Sequence, residues 1–321
     1  GSRAHGDDPT PGAGTRHPKK SIVHFQPERL SDRVAAAIEV VRDGTGSVRE
    51  VCDVLEIPRS TFYALRAARK TARSERTREL APKVAEIFRR HRRRYGTRRI
   101  RAELADGGLL ASRRKVAEIL KSQGMKAIQP KSFQPKTTAS RHRLGYSPNL
   151  LLEDFEPTGL DQLWVADITY IPLRGRQFTY LSLLMDRHSR RLIGWELDAT
   201  MTEHLVLRTL KRAIAARDLS SSLIFHSDRG GQYAGKEFRS VLRRASIRQS
   251  MSRAGDCYDN AFMESCFGTI KTELQMTEYE TRAAADREII DYLAYYNRDR
   301  KHSAIDYLTP IQFEARITRR K

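Results

Sequence analysis

Leu163-Trp164-Val165-Ala166-Asp167-Ile168-Thr169-Tyr170-Ile171-Pro172 alternates its side chains and is rich in β-branched and aromatic residues. That pattern predicts a strand. A period of two puts Leu163, Val165, Asp167 and Thr169 on one face. A carboxylate in such a run is costly to bury unless it is paired or bound to metal. Downstream, Arg174-Gly175-Arg176 makes a turn, Phe178–Asp186 reads as a second strand and Leu192–Leu197 as a third. Three strands joined by tight turns form an antiparallel meander.

The pattern then changes to α/β alternation. It predicts a helix over Glu203–Ala216, a short strand at Leu223–Phe225, a helix over Lys236–Arg244, a strand at Ile247–Ser250 and a helix beginning near Asp259. A meander followed by this alternation makes a mixed sheet flanked by helices, the order of the ribonuclease H-like fold. Two further acids stand out in it. Asp228 follows the short strand, and Arg229-Gly230-Gly231 turns the chain so that the carboxylate is left at the strand tip, where ligands bind in such sheets. Glu264 lies on the last of these helices, with Asn260 four residues before it and Lys271 seven after, all on one face. Asp186, which ends its strand beside Arg187, reads as half of a surface ion pair, and Asp259 as a helix N-cap. Neither is placed with the metal ligands.

Three acids placed as Asp167, Asp228 and Glu264 can hold two Mg²⁺ or Mn²⁺ ions through hard oxygen ligands. Two metals about 3.5–4 Å apart stabilise the attacking and leaving oxygens of an in-line phosphoryl transfer. The net charge of +20 favours a polyanionic partner. It is uneven: residues 1–150 carry 33 Lys+Arg against 15 Asp+Glu, and residues 151–321 carry 26 against 24. The basic half is the electrostatic grip and the other half carries the acids, which points to an enzyme that cuts and joins DNA. Three scattered cysteines, Cys52, Cys257 and Cys266, suit a reducing cytoplasm, give no disulfide framework and argue against a structural zinc. The absence of an apolar run of about 18 residues argues against a membrane span.

Residues 1–29 are rich in Gly, Pro and charge and are expected to be disordered. Val34, Ile38 and Val41 recur at helical spacing, and Ser47-Val48-Arg49-Glu50 fits a capping box. Ile57-Pro58-Arg59-Ser60-Thr61 then turns into a third short helix ending near Ala68. Together residues 30–70 read as a helix-turn-helix, with Arg59, Ser60, Thr61 and Arg66 facing DNA. The alternative is a small bundle with a solvated basic face. In residues 71–128 a longer helix is expected over about Arg76–Arg94, followed by the arginine-dense His91-Arg92-Arg93-Arg94-Tyr95-Gly96-Thr97-Arg98-Arg99-Ile100-Arg101. Arg98 and Arg99 there are expected at phosphates. A second helix-turn-helix follows: Ile100–Leu104, a turn at Asp106-Gly107-Gly108, then Ser112 capping a helix that opens with Arg113, Arg114 and Lys115. Residues 129–157 read as a basic linker, either tracking the phosphate backbone or serving as a plain tether. Residues 158–321 form the catalytic domain with a C-terminal helix.

Residues 48–310 resemble the catalytic-frame protein of insertion-sequence transposases of the "IS-three" family, relatives of retroviral integrases. The resemblance rests on five stretches: Tyr95–Ile100, Trp164–Tyr170, His226–Tyr233, Ser250–Ser265 and Tyr295–Ala304. It implies a transposase with Asp167, Asp228 and Glu264 as catalytic metal ligands and Lys271 as the basic residue seven positions after the glutamate. It also implies cleavage at element ends, strand transfer by the freed 3′-hydroxyl, double-stranded DNA partners (terminal repeats and target), and a homo-oligomer of at least two copies on DNA in the bacterial cytoplasm. No long heptad run occurs, so the chain resembles the second frame alone, and the first-frame protein is a further expected partner. Arg300 and His302, in Tyr295-Tyr296-Asn297-Arg298-Asp299-Arg300-Lys301-His302-Ser303-Ala304, contact DNA or support the Glu264 helix, while Tyr295 and Tyr296 read as core. Asp306 stands where the family often has Gly. The fold class is therefore α/β, a ribonuclease H-like mixed-sheet catalytic core preceded by all-α helix-turn-helix DNA-binding domains. The competing class is an inactive, transposase-derived DNA-binding regulator, and the presence of all three acids argues against it.

Overall fold

The computed structural model describes residues 30–129, 145–151, 155–219, 222–253, 261–276 and 278–319. The expected disorder of residues 1–29, most of the linker, Asp259 and Asn260 lie outside them. The chain divides into two units, Gly1–Glu79 and Leu80–Lys321.

In the first unit, α1 (Leu30–Arg42), α2 (Val48–Val54) and the start of α3 (Arg59–Arg90) enclose Val34, Ala37, Val51, Cys52, Ile57 and Phe62. The capping box forms as read: the Glu50 N–H donates to Ser47 Oγ at 3.2 Å, and the Ser47 N–H donates to Glu50 Oε2 at 2.9 Å. The expected break after Ala68 does not exist, because α3 is one continuous helix of 32 residues. Residues 66–79 contain no Gly or Pro and are mostly Ala, Arg, Lys and Glu, all strong helix formers. Pro82, which has no N–H to donate, lies on the exposed side of that helix.

In the second unit the end of α3 packs with α4 (Thr97–Asp106) and α5 (Arg113–Ser122) around Leu80, Val84, Phe88, Tyr95, Ile100 and Ile119. Gly108 at φ +75° makes the turn, and Ser112 Oγ caps α5 by accepting the Lys115 N–H at 3.1 Å. The helix, turn and Ser112-capped helix read from the sequence are thus present.

The sheet has five strands in the order β3-β2-β1-β4-β5. β1 (Leu163–Leu173), β2 (Gln177–Asp186) and β3 (Leu192–Asp198) are the antiparallel meander. β4 (Ile224–Ser227) and β5 (Arg248–Met251) run parallel to β1. α6 (Glu203–Ala215) connects β3 to β4, and α7 (Lys236–Arg244) connects β4 to β5. The alternation along β1 sorts its neighbours. Leu163 and Val165 join Met263, Phe267 and Ile270 of α8 (Ala261–Glu273) and Ile289 and Leu293 of α9 (Arg282–Arg298). Trp164 and Ala166 join Val206, Leu210, Phe238 and Leu242 of α6 and α7. Trp164, Phe225 and Phe238 are fully buried, each contributing roughly 1.5–3 kcal/mol. Close approach of β3 to α6 requires Gly194, where a Cβ would stand 2.5 Å from the Thr209 carbonyl oxygen.

α10 (Pro310–Thr318) is tied through Glu314 to Arg217 after α6 and to Ser189 and Arg191 between β2 and β3. Burial raises the proton affinity of this carboxyl, but the hydrogen bonds and charge of Arg217, together with Arg191 and Ser189, bring it below its ordinary value. Residues 145–151, assigned to the linker, instead lie along β5: the Met251 N–H donates to the Pro148 carbonyl at 3.3 Å, and the Leu150 N–H donates to Ser250 Oγ at 2.9 Å.

Candidate active site and nucleic-acid interface

β1 and β4 pair in parallel with Val165 opposite His226. Asp167 and Asp228 each follow two residues later, so both carboxylates leave adjacent strands at one level. β4 ends at Ser227 while β1 continues to Leu173, and Asp228 therefore sits at the tip of a strand beside an extended neighbour. The turn after it is tight: the Gly230 N–H donates to Asp228 Oδ1 at 3.0 Å. A Cβ at Gly230 would come within 3.0 Å of that oxygen. Asp167 accepts the Ile168 N–H at 2.7 Å.

Asp167 shares its face of β1 with Leu163 and Val165, the face that α8 covers. Met263, Cys266, Phe267 and Ile270 are the buried stripe of that helix, and Glu264 is left exposed beside it. Burial pushes the Asp167 carboxyl up to about 8, the Asp228 charge adds to this, and so does Glu264, while the Ile168 N–H and Lys271 oppose it. Asp228 and Glu264 thus both lie within electrostatic reach of Asp167. Among the described residues no three His, Cys, Asp or Glu side chains are drawn into a ready-made group for an ion. What the fold supplies is like charge around Asp167, from Asp228 and Glu264, opposed by Lys271. Lys271 is half-buried, and its Nζ lies 4.7 Å from the centre of the exposed Tyr170 ring. Burial holds this ammonium below its ordinary pKa, and Asp167 opposes the shift. Tyr170 is quoted above only as part of a motif; nothing in the sequence showed that Lys271 would lie over it.

The basic residues separate into two groups. Arg59, Ser60, Arg66, Arg98, Arg113 and Arg114 are exposed, and Thr61 is half-buried. Arg114 and Lys115 both reach Glu118, at 3.3 Å each. Arg99 instead points inward, donating to the Lys301 carbonyl at 2.9 Å and pairing with Glu273 at 3.4 Å. Arg300 and His302, expected at DNA, are buried as well. Arg300 is 4% exposed and donates Nε and Nη2 to Glu273 Oε1 at 3.0 and 2.8 Å. His302 accepts from Arg300 Nη1 at 3.2 Å and packs edge-on against Tyr296. Burial, with Arg300 and Arg99, holds this imidazole down to about 2, so it carries no charge to offer a phosphate. A guanidinium whose donors are spent on a buried carboxylate is structural support, the other reading that the sequence had left open.

Asp186 is not half of a surface ion pair. It is fully buried and accepts the Asp161 and Ser189 N–H groups at 2.7 Å each, closing the β2–β3 turn. Arg187 pairs with Glu156 and stacks on Phe262. Tyr296 is core as expected, and Tyr295 is half-buried with its hydroxyl 3.0 Å from His91 Nδ1.

Family models agree with this architecture. Two described as Integrase core domain match residues 157–257 and 245–310, and one described as HTH-like domain matches residues 75–133. The chain is therefore a helix-turn-helix protein of the integrase-core class, whose activity is DNA integration. It belongs to the IS3 family of insertion-sequence transposases. It is 35% identical over 272 residues to transposase InsF for insertion sequence IS3A from Escherichia coli (strain K12), covering 84% of this chain and 94% of that protein. The insertion element IS600 uncharacterized 31 kDa protein of Shigella sonnei is 36% identical over 267 residues, 82% of this chain and 97% of that one. The transposase for insertion sequence element IS904 of Lactococcus lactis is 35% identical over 237 residues, 73% of this chain and 93% of its own length. No helix among the described residues is long and apolar enough to cross a membrane.

Proposed function

We propose that this transposase binds the ends of its element through its helix-turn-helix regions and cleaves and joins DNA strands at Asp167, Asp228 and Glu264. The observation that carries this reading is the parallel pairing of β1 with β4, which brings Asp167 and Asp228 to one level on the sheet, on the face that the Glu264 helix covers. Two acids on adjacent parallel strands and a third on the covering helix repel one another unless protons or cations intervene. Their donor chemistry suits two Mg²⁺ or Mn²⁺ ions, which when bound activate water or a 3′-hydroxyl and stabilise the leaving oxygen. Asp167 and Asp228 form the rigid, sheet-borne part of the set. Glu264 completes it from α8, and Lys271 offers an ammonium to a DNA phosphate beside it. Asn260, outside the described residues, is assigned to DNA on its sequence spacing from Glu264 alone. Holding two element ends calls for at least two copies of the chain in the bacterial cytoplasm, where nucleoid DNA lies, and a first-frame protein of the same element is a further candidate partner.

The pH dependence tests the metal site. The unfolded carboxyl gives up its proton near the ordinary 3.8 and the folded one near 8, so across that window the metal-free fold binds the extra proton. This contribution to stability falls as pH rises from about 4 and is gone above about 8. The metal-free protein should therefore melt lower at about pH 8.5 than at about pH 6 on this group's account, and Mg²⁺ should raise the melting temperature more at the higher pH. Asp167→Asn should remove both effects. Equal Mg²⁺ shifts at the two pH values, unchanged by Asp167→Asn, would contradict the assignment.

Arg59, Ser60, Thr61 and Arg66 at the start of α3, and Arg113, Arg114 and Lys115 at the start of α5, are the proposed grip on DNA, together with Arg98. Replacing both Arg113 and Arg114 with Ala removes two exposed cations where a recognition helix enters the groove. Affinity for duplex element ends should fall roughly 10- to 100-fold, with a shallower salt dependence. A binding isotherm and salt slope matching the wild type would remove α5 from the interface.

A further inference from the structure

The Tyr95-Gly96-Thr97-Arg98-Arg99-Ile100 and Tyr295–His302 stretches, about two hundred residues apart, are bonded to each other. Tyr95 is fully buried; its hydroxyl donates to the Asp299 carbonyl at 2.9 Å and accepts the Lys301 N–H at 2.7 Å. Lys301, 2% exposed, reaches back to Asp106 at the end of α4. At the centre is Glu273, the last residue of α8. Its carboxylate accepts from Arg300 Nη2 at 2.8 Å, Tyr292 Oη at 2.9 Å and Arg99 Nη1 at 3.4 Å. Its carbonyl, one of those a helix end leaves without an internal partner, accepts Arg94 Nε at 3.3 Å. The Arg94 guanidinium is also held over the Tyr292 and Tyr295 rings at 4.9 and 4.7 Å. Two arginines of the helix-turn-helix region therefore bind one residue of the helix that carries Glu264, one at its side chain and one at its backbone.

Glu264 and Glu273 are nine residues apart, two and a half turns or roughly 13 Å along the helix, so they lie on opposite sides. The apolar stripe of Met263, Phe267 and Ile270 fixes which side of α8 faces β1, but apolar contacts are non-directional and tolerate sliding along the axis. The hydrogen bonds at Glu273 are directional and do not. We propose that Arg94 and Arg99 are positioning residues for Glu264: by clamping the far end of α8 they set where the exposed end presents its carboxylate to Asp167 and Asp228. This rests on the active-site reading above, and it assigns Arg99 a task other than phosphate contact.

The test uses the full chain with both Arg94 and Arg99 replaced by Ala, and separately the milder Arg99→Lys, which keeps the charge but not the two-point contact. Hydrogen–deuterium exchange of the metal-free proteins should show faster exchange in residues 264–273, with the β1 amides unchanged. Strand transfer at saturating element-end DNA should fall roughly 10- to 100-fold, with several-fold more Mg²⁺ needed for half-maximal rate and end-binding affinity within about twofold. If the double variant does not fold, Arg99→Lys carries the test by the same readouts. Unchanged exchange and Mg²⁺ dependence in an active protein would overturn the positioning role. A loss confined to DNA affinity would overturn it too, returning these arginines to the phosphates. A wild-type protein with no Mg²⁺-dependent strand transfer would overturn the underlying active-site reading as well.

Discussion

Asp228→Asn should abolish Mg²⁺-dependent cleavage and joining of element-end DNA while leaving end binding within about twofold. The exchange keeps shape and the acceptor for the Gly230 N–H, so the turn after β4 is retained. What it removes is the negative charge at the tip of the strand next to Asp167. A residue that interacts with the transition state only through charge should cost most of its effect in rate rather than affinity. The expected loss is at least about 1,000-fold, on the order of 4 kcal/mol of barrier. Single-turnover assays with labelled end DNA measure it, alongside a binding isotherm and a thermal melt. Cleavage at the wild-type rate would exclude Asp228 from the chemistry. The same substitution removes a like charge beside Asp167, so the Asp167 carboxyl should titrate at lower pH in this variant, a change visible by carbon NMR.

Glu273→Ala should be the most destabilising single substitution among those considered. The variant leaves Arg300, 4% exposed, without its carboxylate, and frees the Tyr292 hydroxyl and Arg99 as well. Removing one partner of a buried pair costs about 3–5 kcal/mol because the remaining charge stays buried. For a unit of this size that is a fall in melting temperature of roughly 6–20 °C. Glu273→Gln, which keeps the acceptor oxygen but not the charge, should lose less. Melts of both variants within about two degrees of the wild type would mean that the cluster is solvated in solution.

Much of the fold was legible because it is written in local chemistry. The alternation from Leu163 to Pro172 placed Asp167 on the Leu163–Val165 face, and the structure shows that α8 covers that face. Ser47 and Ser112 announced helix starts through capping chemistry that needs only a few neighbouring residues. The turn after Asp228 was readable from its glycines. Boundaries failed where no breaker existed, as across residues 66–79 of α3. Arginine was misread most often. An exposed guanidinium such as Arg113 and a buried one such as Arg300 look alike in sequence, and the difference lies in partners 27 and 174 residues away, as for the Arg300 and Arg99 contacts to Glu273. Glu273 itself carried one faint signal, an acid at the buried end of an otherwise apolar helix stripe. Asp306 shows the opposite case: at φ 55° and ψ 35° it occupies the left-handed region, which glycine adopts without strain and a short polar residue tolerates.

The central claim is that Asp167, Asp228 and Glu264 act together on divalent cations. Anomalous diffraction from a complex with element-end DNA and Mn²⁺ tests it most directly. The account predicts metal peaks bonded to Asp167 and Asp228, with Glu264 ligating one of them and a DNA phosphate oxygen completing the set. Peaks that leave Asp167 or Glu264 without a metal bond, or that fall on other residues, would contradict it.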